Sequence, residues 1–212
     1  MASSDKFLLT NVRAVFPKYF KGQEEAFDNK GDPYYSGSFL IDPTDPQVAK
    51  IREQIVAAAT AKLGEKAGDA LKVFSAKDKL PIHSGDLKAD KPYGAAYKGM
   101  LFISGRNNAK TNPPIPVYDN VLDPATKLAR VIESAADPKA PYSGCYVNVY
   151  LNFFYYKAGG GEGIGCSIAG VQFAKDGERL AGGVTARAGD FEAIPPAETA
   201  KAATGGGAAA LF

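Results

Sequence analysis

The chain has 212 residues, 45% hydrophobic and 23% charged, with a formal net charge of +2. It is long enough to bury a core without staples, its composition is ordinary for a soluble globular protein, and its bulk charge does not announce a polyanion partner. Two cysteines, Cys145 and Cys166, exclude a disulfide framework, and their spacing does not suit a zinc site.

Phe7 to Phe16 reads as a first strand, with Leu8, Val12, Ala14 and Phe16 toward one face and Asn11, Arg13 and Val15 toward the other. Pro17, which cannot donate to a ladder, is expected to end it. Tyr34 to Ile41 is a second strand with Tyr35, Gly37, Phe39 and Ile41 on one face. Thr44 or Asp45 followed by Pro46 signals a helix start, and Val48, Ile51, Ile55, Ala59 and Leu63 form its apolar stripe up to Gly64. Residues 65–98 read as irregular. Gly99 to Arg106 is a third strand, a short one runs through Val117 and Tyr118, and residues 123–135 suggest a short helix.

Residues 142–157 form the most informative stretch. Cys145, Val147, Val149, Leu151 and Phe153 alternate with Tyr146, Asn148, Tyr150, Asn152, Phe154 and Tyr156. Side chains of a strand point alternately to opposite faces, so one face is expected in the core and the other presents rings and amides. Such rings offer platforms for bases, or cover a subunit interface. Gly159-Gly160-Gly161 links this strand to another, Gly163 to Phe173, as a hairpin, and Lys175-Asp176-Gly177-Glu178 reads as a second hairpin turn. The reading is therefore all-β with inserted helices. The folded domain spans 1–190, and 191–212 form a Pro/Gly/Ala-rich tail ending in Leu211-Phe212.

Charge is distributed unevenly. From Lys91 through Tyr118 there is no acid, while Lys98, Arg106 and Lys110 fall inside; Pro138 through Gly161 is also acid-free and holds Lys139 and Lys157. Cations beside exposed rings suit single-stranded nucleic acid. The candidate stacking residues are Tyr146, Tyr150, Phe154 and Tyr156. Phe154 is also the first candidate for a core or dimer contact. Asn148 and Asn152 are candidates for base edges or sugars. Lys98, Arg106, Lys110, Lys139 and Lys157 are phosphate candidates, with Arg13 and Lys18 weaker ones.

Nothing points to catalysis. The one histidine, His83, shares a loop with Ser84 and Asp86, which does not make a triad, and no nucleophile elbow or Walker loop is present. The glycine run 159–165 only echoes a dinucleotide motif, with no helix after it. Asp86, Asp119 and Asp123 are scattered loop carboxylates, so no metal and no cofactor is expected. Met1–Lys6 lacks the apolar segment of a signal peptide, and no apolar run has membrane-spanning length.

Six segments carry a resemblance. They are Phe16-Pro17-Lys18-Tyr19-Phe20, Tyr35-Ser36-Gly37-Ser38-Phe39-Leu40-Ile41, Pro81-Ile82-His83-Ser84-Gly85-Asp86, Pro113-Pro114-Ile115-Pro116-Val117-Tyr118-Asp119, Tyr142-Ser143-Gly144-Cys145-Tyr146 and Lys175-Asp176-Gly177-Glu178-Arg179-Leu180. In this order they resemble the phage single-stranded-DNA-binding proteins, podovirus-type replication proteins first catalogued as a domain of unknown function. The resemblance covers about residues 7–191. It implies a five-stranded, partly open OB-fold barrel that binds single-stranded DNA without strong sequence preference. It also implies roles in replication, recombination and repair in the cytoplasm of the infected bacterial host. Phage replication or recombination proteins are the implied protein partners; a second copy of the chain is suggested by the aromatic face itself. Two departures stand out: residues 186–212 hold three acids against two bases rather than an acidic run, and His83 stands where relatives often carry a basic residue. A virion assembly protein and an RNA-binding OB domain are the alternatives.

Overall fold

The alternation of residues 146–158 anchors the fold. The computed structural model describes residues 6–26, 31–158 and 161–180. In it β7 (Tyr146–Ala158) pairs along its whole length with antiparallel β8 (Gly161–Lys175). Cys145, Val147, Val149 and Leu151 are fully buried, and the partly buried Phe153 packs against the same core. The expected inward face and the expected hairpin are both present.

The other strands are β1 (Phe7–Lys18), β2 (Tyr34–Ile41), β3 (Ile82–Ser84), β4 (Leu101–Asn108), β5 (Val117–Leu122) and β6 (Ala129–Val131). They form one sheet in the order β3-β4-β2-β1-β7-β8-β5-β6. All pairings are antiparallel except β5 with β8. The sheet curls until β4 meets β8. No ladder joins these two strands; the Asn107 side chain does so instead. Its Nδ2 donates to Ile168 O at 2.8 Å, and its Oδ1 accepts from Ile168 N–H at 2.8 Å. Beside it Gly105 lets β8 approach, since a Cβ there would lie 2.5 Å from Ile168 Cγ1. Strands β1, β2, β4, β8 and β7 thus enclose a five-stranded, partly open barrel, the architecture of an OB fold.

Two bulges set which residues of β1 face inward. Asn11 has φ 52°, and the pairing with β7 shifts between Leu9 and Val12. The extra residue reverses the phase: Leu9 is buried before it, and Val12 and Ala14 after it. Leu8, expected on the face of Val12 and Ala14, is therefore exposed, and Phe16, expected there too, is exposed at the second shift. The second shift lies between Val15 and Lys18, where Phe16 also has positive φ. Pro17 sits within this irregularity and does not end the strand, which runs to Lys18.

Helix α1 (Gln47–Leu63) follows the expected stripe, burying Val48, Ile51, Ile55 and Ala59. Asp45 Oδ1 accepts from Gln47 N–H at 2.8 Å, and Gly64 closes the helix with φ 55°. Residues 65–98 are not irregular throughout. They contain α2 (Ala67–Ala76), β3, two short 3-10 turns and the end of a third that begins at Gly64. The helix was legible in Ala67, Ala70, Leu71 and Phe74, which share one face and pack on the core. Residues 123–135 form no helix. Asp123 Oδ1 accepts from the N–H groups of Ala125 and Thr126, Lys127 takes φ 58°, and the chain returns as β6. Residues 176–180 are a strap and not a hairpin turn into another described strand. Arg13 Nη2 donates to Glu178 O at 2.9 Å, Leu180 N–H donates to Ser143 O at 2.9 Å, and the Tyr142 hydroxyl accepts from Gly177 N–H at 3.1 Å. The tail expected at 191–212 lies outside the described residues.

The β5–β6 arm is tied down by charge. Asp119 is buried, and its Oδ2 accepts from Arg130 Nη2 at 2.8 Å; Arg130 Nη1 donates to Asp137 Oδ2 at 2.7 Å. Arg130 holds the Asp137 carboxyl below the usual value of 3.8.

Two outcomes follow. Asn107→Ala strands the N–H and C=O of Ile168 in a part-buried seam and lowers unfolding free energy by about 2–3 kcal/mol in urea titration; a change within about 0.5 kcal/mol would deny the seam its role. Arg130→Met leaves Asp119 buried without its cation and lowers the melting temperature. Arg130 also depresses the Asp137 pKa, so Asp137 stabilises fully above its unfolded value and loses this as pH falls through the folded one. The gap between wild type and Arg130→Met is therefore widest near neutral pH and narrows below 3.8, the ordinary Asp value. A gap independent of pH would count against the ion pair.

Candidate nucleic-acid interface

On the outward face of β7 three rings stand opposite glycines of β8. Tyr150 pairs with Gly170, Phe154 with Gly165 and Tyr156 with Gly163. A Cβ on Gly165 would lie 2.7 Å from the Phe154 ring, and one on Gly163 would lie 2.9 Å from the Tyr156 hydroxyl. The glycine run that echoes a nucleotide motif thus beds aromatic rings. Tyr150 and Phe154 stay 45% and 40% exposed, so flat apolar area remains open to solvent. Tyr146 is half-buried, with Lys175 Nζ 4.6 Å from its ring centre. Asn152 is half-buried opposite Ser167. Asn148 is already engaged: its Oδ1 accepts from Asn11 N–H at 3.0 Å, completing the β1 bulge, and its Nδ2 donates to Gln172 at 3.0 Å.

Tyr150 opens onto a groove of about 900 Å³ between β7–β8 and the β5–β6 arm. Leu8, Leu128 and Val131 line it with Tyr150; Lys6 and Asp123 also border it, and Arg130 is engaged there by Asp119 and Asp137. Leu128 and Val131 carry no sequence signal for this place, because the segment reads as a helix.

The candidate cations fall on several parts of the surface. Arg13 is spent on the 176–180 strap, also donating from Nε to Gly144 O at 3.3 Å. Lys110 pairs with Asp32 at 2.5 Å. Lys139 Nζ lies 4.9 Å from the Phe173 ring centre. Lys157 borders a hollow with Lys77, Lys79 and Glu162 at the hairpin end, and Lys98 is exposed after a 3-10 turn. Only Arg106 and Lys18 share a cleft, on the outer side of β2 and β4, where Lys18 pairs with Glu25.

That cleft, about 470 Å³, is the part the sequence reading missed. It gathers Phe16, Tyr34, Ser36, Ser38, Lys88 and Ser104 around Arg106. Tyr34, Ser36 and Ser38 are the outward positions of β2 and were legible from its alternation. Lys88 comes from a 3-10 turn with no local signal. Its ammonium lies 4.3 Å from the Phe102 ring centre, and the Arg106 guanidinium lies 4.9 Å from that of Tyr34. Burial and then the charge of Arg106 lower the Lys88 pKa.

The remaining titratable candidates have local duties. His83 Nδ1 lies 2.8 Å from Asp78, and its ring stacks on Phe102. Asp86 accepts from Gly99 N–H, and Asp119 and Asp123 serve the β5–β6 arm. Both cysteines are buried free thiols, and burial pushes Cys145 up to about 11. Among the described residues no helix is long and apolar enough to cross a membrane.

The fold and much of the sequence have known counterparts. Residues 5–202 match the family model described as Enterobacter phage Enc34, ssDNA-binding protein. The protein p50 of Acyrthosiphon pisum secondary endosymbiont phage 1 is 31% identical over 199 residues, covering 91% of this chain and 96% of its own. The structure of the single-stranded DNA-binding protein from bacteriophage Enc34 in complex with ssDNA superposes with a TM-score of 0.64 and 26% identity, over 84% of this chain and 91% of that one. Bacteriophage T7 gp2.5, a single-stranded DNA binding protein, shares the fold at a TM-score of 0.53 and 15% identity, over 88% of this chain and 100% of its own. With a family match over nearly its whole length and a barrel that superposes on that family's solved structure, the chain belongs to the Enc34 ssDNA-binding protein family.

Proposed function

We propose that this protein binds single-stranded DNA without strong sequence preference and protects it during phage DNA replication, recombination and repair in the cytoplasm of the infected host. It is a binding protein without catalytic activity. The observation that carries this reading is Tyr150, a ring left 45% exposed on the outer barrel face above a wide groove, in a family that includes a structure solved with ssDNA. A base stacked on Tyr150 removes apolar area from water on both partners and needs no hydrogen-bond code, which suits sequence-tolerant binding. Exposed cations, Lys98 and Arg106 among them, supply the phosphate term. Protein partners are phage replication or recombination proteins and a second copy of the chain. For self-association the exposed Val121 and Leu122 of β5, outside the groove at Tyr150, are a better surface than Phe154, which is bedded on Gly165.

Tyr150→Ala weakens binding of a dT oligonucleotide by ~1–3 kcal/mol while the protein stays folded. Unchanged affinity removes Tyr150 from the site. Lys98→Glu weakens binding and flattens log K against log salt by roughly 0.7 for each phosphate that is no longer neutralised; an unaltered slope removes Lys98 from the path of the strand.

A further inference from the structure

One end of the sheet is left open beside an apolar hollow. Strand β3 is the last strand on its side and pairs only with β4. Ser104 N–H donates to Pro81 O at 3.2 Å, and Gly85 N–H donates to Met100 O at 2.7 Å. Hydrogen-bonded pairs alternate with non-bonded ones in an antiparallel ladder, so Pro81, His83 and Gly85 turn their main-chain groups toward β4. Ile82 and Ser84 therefore point their N–H and C=O off the edge of the sheet, and among the described residues nothing takes these groups up. Beside them lies a hollow of about 370 Å³, walled by α1 and α2 and reached by all three residues of β3. Six of the ten residues around it are aliphatic, namely Ile55, Val56, Leu71, Leu80, Ile82 and Leu101, and Val56 stays 50% exposed, so the apolar lining opens to solvent. Among the described residues no carboxylate lines the hollow. Its charged group is Arg52, which pairs with no carboxylate among the described residues, whereas His83 is held by Asp78. His83 also stacks on Phe102, and Ser84 Oγ accepts from Asp86 N–H at 3.3 Å, so the edge is fixed before anything binds.

We propose that this corner is a protein-docking site that takes one extended, acidic and apolar segment of a partner protein as a further strand beside β3. The main chain of the segment pairs with the free groups of Ile82 and Ser84, its side chains at period two fill the aliphatic hollow, and a carboxylate meets Arg52. Three features select this occupant. A free strand edge asks for alternating N–H and C=O groups, which a polypeptide carries and a nucleic-acid strand does not. The aliphatic lining asks for apolar side chains. The unpaired guanidinium, with no acid in the hollow, asks for a carboxylate. A second copy of the chain meeting it β3 to β3 would set hollow against hollow and bring another Arg52 in place of an acid. The inference rests on the reading that the chain has protein partners, and it does not need DNA to be bound.

The test presents the full chain to a display library of random ten-residue peptides, and the selected sequences are then measured as labelled synthetic peptides by fluorescence anisotropy. They carry apolar residues at every second position, with Asp or Glu at a fixed place among them. Val56→Lys, a change at a half-exposed position, leaves the melting temperature in place and weakens their binding about tenfold. Arg52→Glu weakens them about tenfold and, put through the same selection, returns Lys or Arg at the acidic place. N-methylation of one peptide amide at a time weakens binding about tenfold at every second residue and little between them. The affinity of Val56→Lys for dT stays within about twofold of wild type, so docking and DNA binding are read separately. The site is overturned if the library yields no peptide above background, or if the selected peptides bind Val56→Lys and Arg52→Glu as tightly as wild type. Methylation without effect at any amide overturns strand addition. A wild-type dimer in sedimentation that Val56→Lys converts to monomer would assign the hollow to a second copy instead. A wild type that selects such peptides but does not bind dT removes the DNA reading and leaves the docking site standing.

Discussion

Strand β8 is shared by three neighbours, and the shape of the protein depends on how its backbone is divided among them. It pairs with β7 along its length, takes β5 in parallel near one end, and is hydrogen-bonded to β4 through the Asn107 amide. One side chain thus supplies both a donor and an acceptor where a ladder would otherwise close the barrel. Such a seam joins the strands without forcing a full register between them. Gly105 completes it by letting Ile168 seat its side chain against the β4 backbone. Closure also decides what faces out. It sets the rings of β7 and the polar positions of β2 and β4 on different parts of one cylinder.

The two outer surfaces use different physics. On β7 the Phe154 ring lies on Gly165 of β8, while Tyr150, opposite Gly170, keeps 45% of its surface open. Rigid rings lose little conformational freedom when a base stacks on them, which favours binding that tolerates any sequence. On β2 and β4 the surface is polar, and its cations are held by the rings beneath them. Long cationic side chains ordinarily give up rotamer entropy on meeting a phosphate; holding them in place reduces that loss. The bulge at Asn11 links the two sides. It turns Leu8 out into the groove at Tyr150 and is held by Asn148, the amide between Tyr146 and Tyr150.

Much of this was legible in the sequence, and the limits have physical causes. Period two found β2 and β7 with the correct inward faces, because both strands keep strict alternation through the core. It failed on β1 because one extra residue at Asn11 reverses the phase, and a bulge leaves no mark in hydrophobicity. The helix expected at 123–135 failed because Asp123 captures two backbone N–H groups and Lys127 turns left-handed, a local chemistry that overrides a few apolar residues at helical spacing. The acid-free windows located Arg106 but not the cleft around it. Lys88 arrives from a distant turn, and its neighbours are set by tertiary packing. Family resemblance supplied the barrel and the ligand class. Which residues line each groove is decided by how the barrel closes.

The central claim is that an exposed ring on β7 and cations on the same barrel serve an unpaired DNA strand. The most direct test is one equilibrium titration of the full chain against dT, rU and duplex DNA of equal length at fixed salt. The account predicts clear binding to dT, in preference to duplex and to rU, with affinity falling steeply as salt rises. Equal or tighter binding to duplex or rU, or large salt-insensitive assemblies with no affinity for dT, would contradict it.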